Sequence, residues 1–262
     1  MADGVTMPAS GSGEAPAPAG IPNFAWVEER RLARGRQPAL ALPAYRELQG
    51  LGFSAVLSLR PAREYPDDER RRYDAADERA LCEALGLTFH HVACTDFQAP
   101  HPHEIVRALS ILDREIGQGN AVYVHCFAGV GRTGVVSAAW QMFRGTSGTE
   151  ALRQYIEFCQ GSWERLLALR SSAAPTPDPA PQPAPASSPF ANLRFPDDYF
   201  HAIGAQHQAW VLLTIATVLG LPAEPPPDFI SPQRPANGKT WRRRFRDQLR
   251  RHLGPASVRT HQ

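Results

Sequence analysis

The feature that most limits how this chain can fold is a cysteine directly after a compact apolar run. Residues 121–125 read AVYVH, and residues 126–134 read CFAGVGRTG. A short apolar run of this kind is typical of a buried strand. The glycines after it indicate a tight loop, and the residues that follow are typical of a helix. The sequence therefore predicts a strand, a short loop and a helix in immediate succession.

The loop between that strand and helix has the composition of an anion-binding cradle. Backbone N–H groups of a small, glycine-bearing loop can converge on one centre, and the start of a helix adds partial positive charge. Arg132 can hold two phosphate oxygens through its planar guanidinium. We therefore predict a phosphate-binding loop formed by Phe127, Ala128, Gly129, Val130, Gly131 and Arg132.

Cys126 stands where the same positive field favours a thiolate over a thiol. A thiolate held beneath a bound phosphate is an attacking nucleophile. Cysteines in apolar surroundings are more often packing residues, and a cysteine six residues before an arginine has little specificity by itself. The complete string from His125 to Gly134, placed after a strand, is far more specific. It predicts a phosphate-binding cysteine site.

The first 170 residues alternate between strand-like and helix-like segments. Apolar runs at 53–59 and 87–93 predict two further strands, and helical patterns occupy 43–51, 73–85, 104–116, 132–143 and 149–158. This alternation predicts an α/β fold with a central, mainly parallel sheet flanked by helices. Ligands of such sheets bind beyond the carboxyl ends of the strands, where Cys126 is expected.

Proline-rich stretches divide the chain into parts. Residues 1–21 are small and polar and predict a disordered N-terminal tail. Residues 171–189 hold seven prolines in nineteen positions and predict a semi-extended linker. We expect one domain over 22–170 and a small helical segment over 190–262.

The C-terminal segment contains two helical patterns. Residues 198–221 form the first, but its apolar part is too short for a hydrocarbon core of about 30 Å, so we expect a core helix. In the second, apolar residues recur every four positions beside a row of arginines, namely Trp241, Phe245, Leu249 and Leu253 beside Arg242, Arg243, Arg244, Arg246, Arg250 and Arg251. Two interpretations stay open: a solvated face, or a contact surface for an anionic membrane, nucleic acid or an acidic protein.

Charge and cysteine spacing exclude several classes of protein. Twenty-eight basic and 26 acidic residues give a net charge of +2, which excludes a wholly basic nucleic-acid coat. The four cysteines show no paired spacing, which argues against a disulfide framework and a CxxC metal site. The N-terminus has no signal-peptide pattern, so a cytoplasmic location is expected. We also expect no metal and no cofactor, because the histidines at 90, 91, 101 and 103 are not spaced to converge on one ion.

The string from His125 to Gly134 resembles the signature loop of cysteine-dependent dual-specificity protein phosphatases, most of all the small atypical VHZ-type enzymes. Residues 22–27, 31–35, 56–59 and 96–100 extend the resemblance, which covers about 22–170. The resemblance implies the cysteine phosphatase fold and no metal. It also implies hydrolysis of phosphotyrosine, and with it of phosphoserine and phosphothreonine, through a phosphocysteine intermediate. One departure is the stretch 159–162, CQGS, where the family has Arg-Pro-Gly-Ser.

The reaction also needs an acid to protonate the leaving oxygen. Asp96 is the candidate, because it follows a predicted strand and its surroundings resemble the family's general-acid loop. A turn or helix-capping role is the plainer alternative for such an aspartate. The other acidic candidates, Glu64, Asp67, Asp68 and Glu69, lie in a charged run that is typical of a solvated loop.

Three further residues receive roles. The resemblance implies that the Thr133 hydroxyl bonds to the Cys126 sulfur and that His125 orients the loop. We expect Cys94 to be a buried structural thiol, with a disulfide to Cys126 under oxidation as the alternative.

The substrate class leaves alternatives open. No lysine lies between Cys126 and Arg132, which argues against an inositide phosphatase, and the presence of Asp96 argues against an RNA 5'-phosphatase. A catalytically silent phosphate-binding adaptor is the remaining alternative.

Overall fold

The computed structural model describes residues 21–69, 71–170, 199–226, 229 and 238–254. Residues 1–20 of the expected tail and the whole of the expected linker, 171–189, lie outside the described residues.

Five of the seven strands in the described residues form one sheet. In chain order the strands are β1 (Ala25–Glu28), β2 (Leu32–Arg36), β3 (Ala55–Ser58), β4 (Arg63–Glu64), β5 (Tyr73–Asp74), β6 (Thr88–His91) and β7 (Val122–Cys126). The large sheet has the order β1-β2-β7-β3-β6, and β4 and β5 form a separate antiparallel pair. Only β1 runs antiparallel to its neighbour in the large sheet. The predicted central, mainly parallel sheet is confirmed.

The helices lie on both faces of this sheet. They are α1 (Leu42–Gly50), α2 (Ala75–Ala84), α3 (Pro102–Gly117), α4 (Gly131–Phe143), α5 (Gly148–Arg170), α6 (Tyr199–Leu219) and α7 (Gly238–Leu253). Along β7, Val122 and Val124 point into the core beneath α3 to α7, whereas Tyr123 points into the core beneath α1 and α2. This alternation follows from the two-residue period of a strand.

The C-terminal helices share a core with the α/β body. α6 packs against α4 and α5, and α7 packs against α3 and α6. Phe245 and Leu249 of α7 are completely buried in the same cluster as the apolar face of the sheet. The sequence predicted one domain over 22–170 and a small helical segment over 190–262, and in the structure the apolar stripe of α7 covers α3 of that domain. No helix in the described ranges is long and apolar enough to cross a membrane.

Replacing Phe245 with alanine should therefore destabilise the whole protein. Truncating a buried phenylalanine costs about 3–5 kcal/mol of unfolding free energy. Arg243→Ala on the exposed side of the same helix is the control, and should change that free energy by no more than about 0.5 kcal/mol. Urea unfolding of the full chain measures both. Equal effects of the two substitutions would show that α7 is not part of the core.

Candidate active site

The loop after β7 turns its carbonyl groups outward. The backbone N–H of Gln37 donates to the carbonyls of Cys126 and Phe127, at 3.0 and 3.2 Å. The Asn23 side chain donates to the carbonyl of Ala128 at 2.9 Å. Arg34 donates to the next two carbonyls, those of residues 129 and 130, at 2.8 and 3.0 Å. Each carbonyl from 126 to 130 is therefore bonded from outside the loop.

The N–H groups of the same loop are left for an anion. Those of residues 127–130 make no hydrogen bond to another described residue. α4 begins at Gly131, and Val130 before it offers no side-chain cap, so the first N–H groups of the helix are also open. Converging amides at a helix N-terminus bind phosphate well. These open N–H groups belong to the predicted cradle, residues 127–132, and follow directly on Cys126 at the end of β7.

Two glycines allow this loop to lie close to β2. Gly129 has φ +75°, and a Cβ on it would lie 2.2 Å from the carbonyl carbon of Gly35. A Cβ on Gly35 would in turn lie 2.3 Å from the Tyr123 hydroxyl. Both positions need glycine, because real carbon atoms do not approach so closely.

Arg132 is buried, and one edge of its guanidinium is fixed. Nη1 donates to Glu64 Oε1 at 2.9 Å and to the carbonyl of Cys94 at 3.1 Å. Nη2 lies 2.7 Å from Asp96 Oδ1, an ion pair without the alignment of a hydrogen bond. Nε has no hydrogen-bond partner among the described residues. The Nε–Nη2 edge can therefore grip two phosphate oxygens.

Acidic neighbours keep Arg132 charged. Burial lowers the pKa of this guanidinium, but negative charge on Cys126, Asp96 and Glu64 outweighs burial, and the net shift is upward. The group is therefore a permanent cation at the phosphate site.

Glu64 does not lie on a solvated face, and that expectation was wrong for this residue. Its side chain is only 6% exposed, because one oxygen pairs with Arg132 and the other with the buried Arg60. The neighbouring Asp67 and Glu69 are exposed, as expected. The carboxylate of Glu64 balances two buried cations, so it holds Arg132 in place and is not free to act as the acid.

Asp96 lies at the mouth of the site. Its Oδ1 contacts Arg132 and accepts the backbone N–H of Phe97 at 3.0 Å, and its Oδ2 accepts the hydroxyl of Tyr65 at 2.6 Å. Its side chain is 23% exposed, so it reaches both solvent and the phosphate site. The structure thus brings Asp96 into contact with Arg132, and Arg132 lies close enough to Cys126 to feel the charge of its sulfur.

Tyr65 remains a hydrogen-bond donor to Asp96 over the ordinary pH range. Burial and the Asp96 carboxylate raise the pKa of its hydroxyl to about 12. Because Tyr65 stays protonated, it can hold this carboxylate at the mouth when Asp96 is ionised.

His125 anchors the carboxyl end of β7 through a buried contact with α2. Its Nε2 lies 2.8 Å from Glu78 Oε1, and both side chains are fully buried. Glu78 also accepts the hydroxyls of Tyr45 and Tyr73, each at 2.6 Å. This network fixes the strand end that carries Cys126, and the loop-orienting role of His125 stays a prediction.

Thr133 does not make the bond expected of it. Its hydroxyl is buried and has no hydrogen-bond partner among the described residues, so no bond joins it to the Cys126 sulfur. Cys94 is a buried free thiol whose carbonyl binds Arg132. No group of three or more histidine, cysteine or carboxylate side chains that could hold a metal ion occurs in the described ranges.

Several residues of the site could not be identified from the sequence. They support the catalytic residues from other elements, and they are Asn23, Arg34, Gln37, Glu64, Tyr65 and Glu78. Gly129 in the loop and Gly35 in β2 are the only local signals that a close approach was required. Asn23 and Arg34 lie in stretches that resemble the phosphatase family, 22–27 and 31–35, but neither stretch indicates which carbonyl its side chain bonds.

Comparison with known families identifies the domain. Residues 33–146 match the family described as "Tc-R-P: Polymorphic toxin system, DSP-PTPase phosphatase". The prediction of a cysteine-dependent dual-specificity phosphatase is confirmed by this match, and these residues form a domain of that type. Domains of this type act on phosphate esters as hydrolases. A VHZ-like specificity stays a prediction.

Three solved structures are examples of proteins similar to this chain. "Tk-PTP in the active form" is 27% identical over 58% of this chain and 99% of its own, with a TM-score of 0.41. The core catalytic domain of the PP-IP phosphatase SIW14 from S. cerevisiae is 23% identical over 53% and 78%, with a TM-score of 0.42. TpbA from P. aeruginosa is 17% identical over 60% and 95%, with a TM-score of 0.41.

Neutralising Glu64 should weaken phosphate binding. In Glu64→Gln, two buried guanidinium groups lose their shared carboxylate, and hydrogen bonds to charged groups are worth about 1.5–3 kcal/mol. We expect the Ki of inorganic phosphate as a competitive inhibitor to rise, and kcat/KM to fall, about 10- to 100-fold. Asp67→Asn makes the same charge change at an exposed position and should leave both constants unaltered. Equal behaviour of the two variants would contradict the role of Glu64.

Acid should remove the contribution of Glu78 to stability. Burial raises the pKa of Glu78, but His125, Tyr45 and Tyr73 more than compensate and lower it to about 2. A glutamate in an unfolded chain has a pKa of about 4.3. Its contribution is therefore complete above about pH 4.3 and is lost as the pH falls towards 2.

The free energy of unfolding in urea, measured between pH 6 and 3, tests this in the wild type and Glu78→Gln. The gap between the two proteins should narrow as the pH falls. A gap that stays constant would show that Glu78 is not ionised in the folded protein.

Proposed function

We propose that this protein is a cysteine-dependent phosphatase that hydrolyses phosphotyrosine, and with it phosphoserine and phosphothreonine, through a phosphocysteine intermediate. The observation that carries the proposal is the loop at 126–132, with outward carbonyls, open N–H groups and the open Nε–Nη2 edge of Arg132. This arrangement supports binding of a dianionic phosphate directly above the Cys126 sulfur.

In the first step the Cys126 thiolate attacks phosphorus. An S–P bond forms while the P–O bond to the leaving group breaks, and Asp96 transfers its proton to the departing oxygen. The loop amides and Arg132 hold the three equatorial oxygens, because phosphoryl transfer depends mostly on positioning and electrostatic stabilisation. A phosphate held by Nε and Nη2 takes the place of Asp96 on Arg132, which leaves that carboxyl group to face the leaving oxygen.

In the second step water attacks the phosphocysteine. Asp96, now ionised, accepts a proton from the water while the S–P bond breaks and inorganic phosphate is released. The Tyr65 hydroxyl holds the Asp96 carboxylate at the mouth in this step. Cys126 returns as a thiolate, so no other reactant is needed.

Aromatic side chains at the mouth support an aryl phosphate as substrate. The rings of Tyr65 and Phe127 lie 6.0 Å apart in an edge-on arrangement. Phe97, next to Asp96, is 57% exposed, which is unusual for a large apolar side chain. A phenyl leaving group can pack among these rings while its phosphate reaches Cys126.

Cys126→Ser should abolish the hydrolysis of p-nitrophenyl phosphate, because a serine hydroxyl is a far weaker nucleophile than a thiolate. Release of p-nitrophenol by the reduced, metal-free full chain between pH 5 and 7.5 is the measurement. The silent adaptor would be supported if the wild type bound phosphate without any turnover in this range.

Asp96→Asn should slow alkyl phosphates more than aryl phosphates. General acid catalysis is typically worth about 10²–10⁴ in rate, and an aryl leaving group needs less protonation than an alkyl one. The ratio of kcat/KM for p-nitrophenyl phosphate to that for a phosphoserine peptide should therefore rise at least tenfold. Asp67→Asn is the matched control and should leave the ratio unchanged. Equal slowing of both substrates in Asp96→Asn would argue against Asp96 as the acid.

A further inference from the structure

We propose that Arg36 and Arg71 form a second anion-binding subsite beside the phosphate-binding loop, and that preferred substrates carry another anionic group next to the phosphotyrosine. This inference rests on the proposed function and deepens it, because it names a class of phosphotyrosine substrate. Neither arginine lies within the signature loop.

Arg36 is placed next to the nucleophile by the sheet. It is the last residue of β2 and stands opposite Cys126 in the parallel register of β2 and β7. Adjacent strands lie about 4.8 Å apart. The guanidinium carbon of Arg36 lies 5.6 Å from the centre of the Phe127 ring, and its side chain is exposed. The position is therefore both close to the site and open to solvent.

Arg71 reaches the same ring from a different element. It lies in the connection between β4 and β5, with its guanidinium carbon 6.0 Å from the Phe127 ring and 5.7 Å from the Tyr65 ring. Its carbonyl accepts a hydrogen bond from the buried Arg60 at 2.8 Å, which anchors this part of the connection. Two arginines therefore flank the first residue of the phosphate-binding loop.

The charges of Arg36 and Arg71 are not neutralised by strong ion pairs within the pocket. Arg132 and Arg60 are matched there by Glu64 and Asp96. Arg36 forms no ion pair with a described residue. Among the described residues, Arg71 pairs only with Asp68, at 3.4 Å and with both side chains about half exposed. Exposed pairs of this kind contribute little. An arriving anion can therefore recruit both guanidinium groups.

The chemistry that fits this subsite is a carboxylate or a phosphate. Guanidinium groups bind both in a planar, bidentate manner. A phosphotyrosine peptide supplies such a group as a neighbouring aspartate, glutamate or second phosphotyrosine. The absence of lysine from the signature loop does not exclude this preference, since the positive charge comes from β2 and from the β4–β5 connection.

The test measures binding by the full chain carrying Cys126→Ser, so that peptides are not consumed. Isothermal titration calorimetry would give Kd values for phosphotyrosine peptides flanked by alanines, by glutamates or by a second phosphotyrosine. We expect either anionic neighbour to lower Kd about tenfold relative to the alanine-flanked peptide. A preference for only the glutamate or only the doubly phosphorylated peptide identifies which anion the subsite takes.

The same titrations are then repeated after adding Arg36→Gln and Arg71→Gln together. The Kd values for anion-flanked and alanine-flanked peptides should then differ by no more than about twofold, because each substitution removes one guanidinium. Arg243→Gln with Arg244→Gln removes the same net charge from the exposed side of α7, and should keep the preference.

Two results would overturn the subsite. One is equal affinity of the full chain carrying only Cys126→Ser for alanine-flanked and anion-flanked peptides. The other is an equal loss of preference in the α7 control, which would show that net charge alone is responsible. Failure of the proposed function has a separate signature, since it appears as absent turnover by the wild type while these binding preferences persist.

Discussion

A loop that turns its N–H groups towards one point must turn its carbonyls away from that point, and buried carbonyls need donors. The donors here come from a single short stretch of chain, Asn23 to Gln37, which contains the edge strand β1 and its neighbour β2. The cradle is therefore not a property of its own ten residues alone. It exists because β2 lies beside β7 and places Arg34 and the Gln37 amide under the loop.

Burying Arg34 has consequences further along the chain. Burial lowers the pKa of its guanidinium. The guanidinium carbon of Arg34 lies 3.7 Å from the centre of the Phe158 ring in α5, which is a cation–π contact. Tyr155, one turn earlier, packs where a side chain on Gly134 would otherwise lie, and its hydroxyl donates to Gln208 of α6. Gln208 itself lies 2.8 Å from the position of a Cβ on Gly131. The C-terminal helices thus support the start of α4 and with it the loop.

The parts of the structure that are encoded locally could be predicted. The strand, loop and helix around Cys126 have a continuous signal, and the alternation of strands and helices indicated the parallel sheet. β1 and β2 were not predicted as strands, because β2 contains arginines and a glycine whose burial makes sense only beside β7. Glu64 was assigned to a solvated loop because its burial, too, depends on a distant partner. Arg60 and Arg132 are far from each other in sequence, so no local pattern reveals that the Glu64 carboxylate pairs with both.

The two carboxylates that contact Arg132, those of Glu64 and Asp96, bind different nitrogens of its guanidinium. Glu64 holds Nη1, shares its buried charge with Arg60, and leaves the Nε–Nη2 edge in a fixed orientation. Asp96 touches that second edge only through Nη2, at the exposed end of the site, and it has Tyr65 as another partner. In the proposed mechanism, an arriving phosphate carries more charge than Asp96 and bonds to both nitrogens, so it displaces Asp96 from this edge. We propose that Asp96 then keeps its hydrogen bond with Tyr65 and faces the leaving oxygen. In the proposed mechanism, substrate binding and placement of the acid are therefore one exchange of partners on a single arginine.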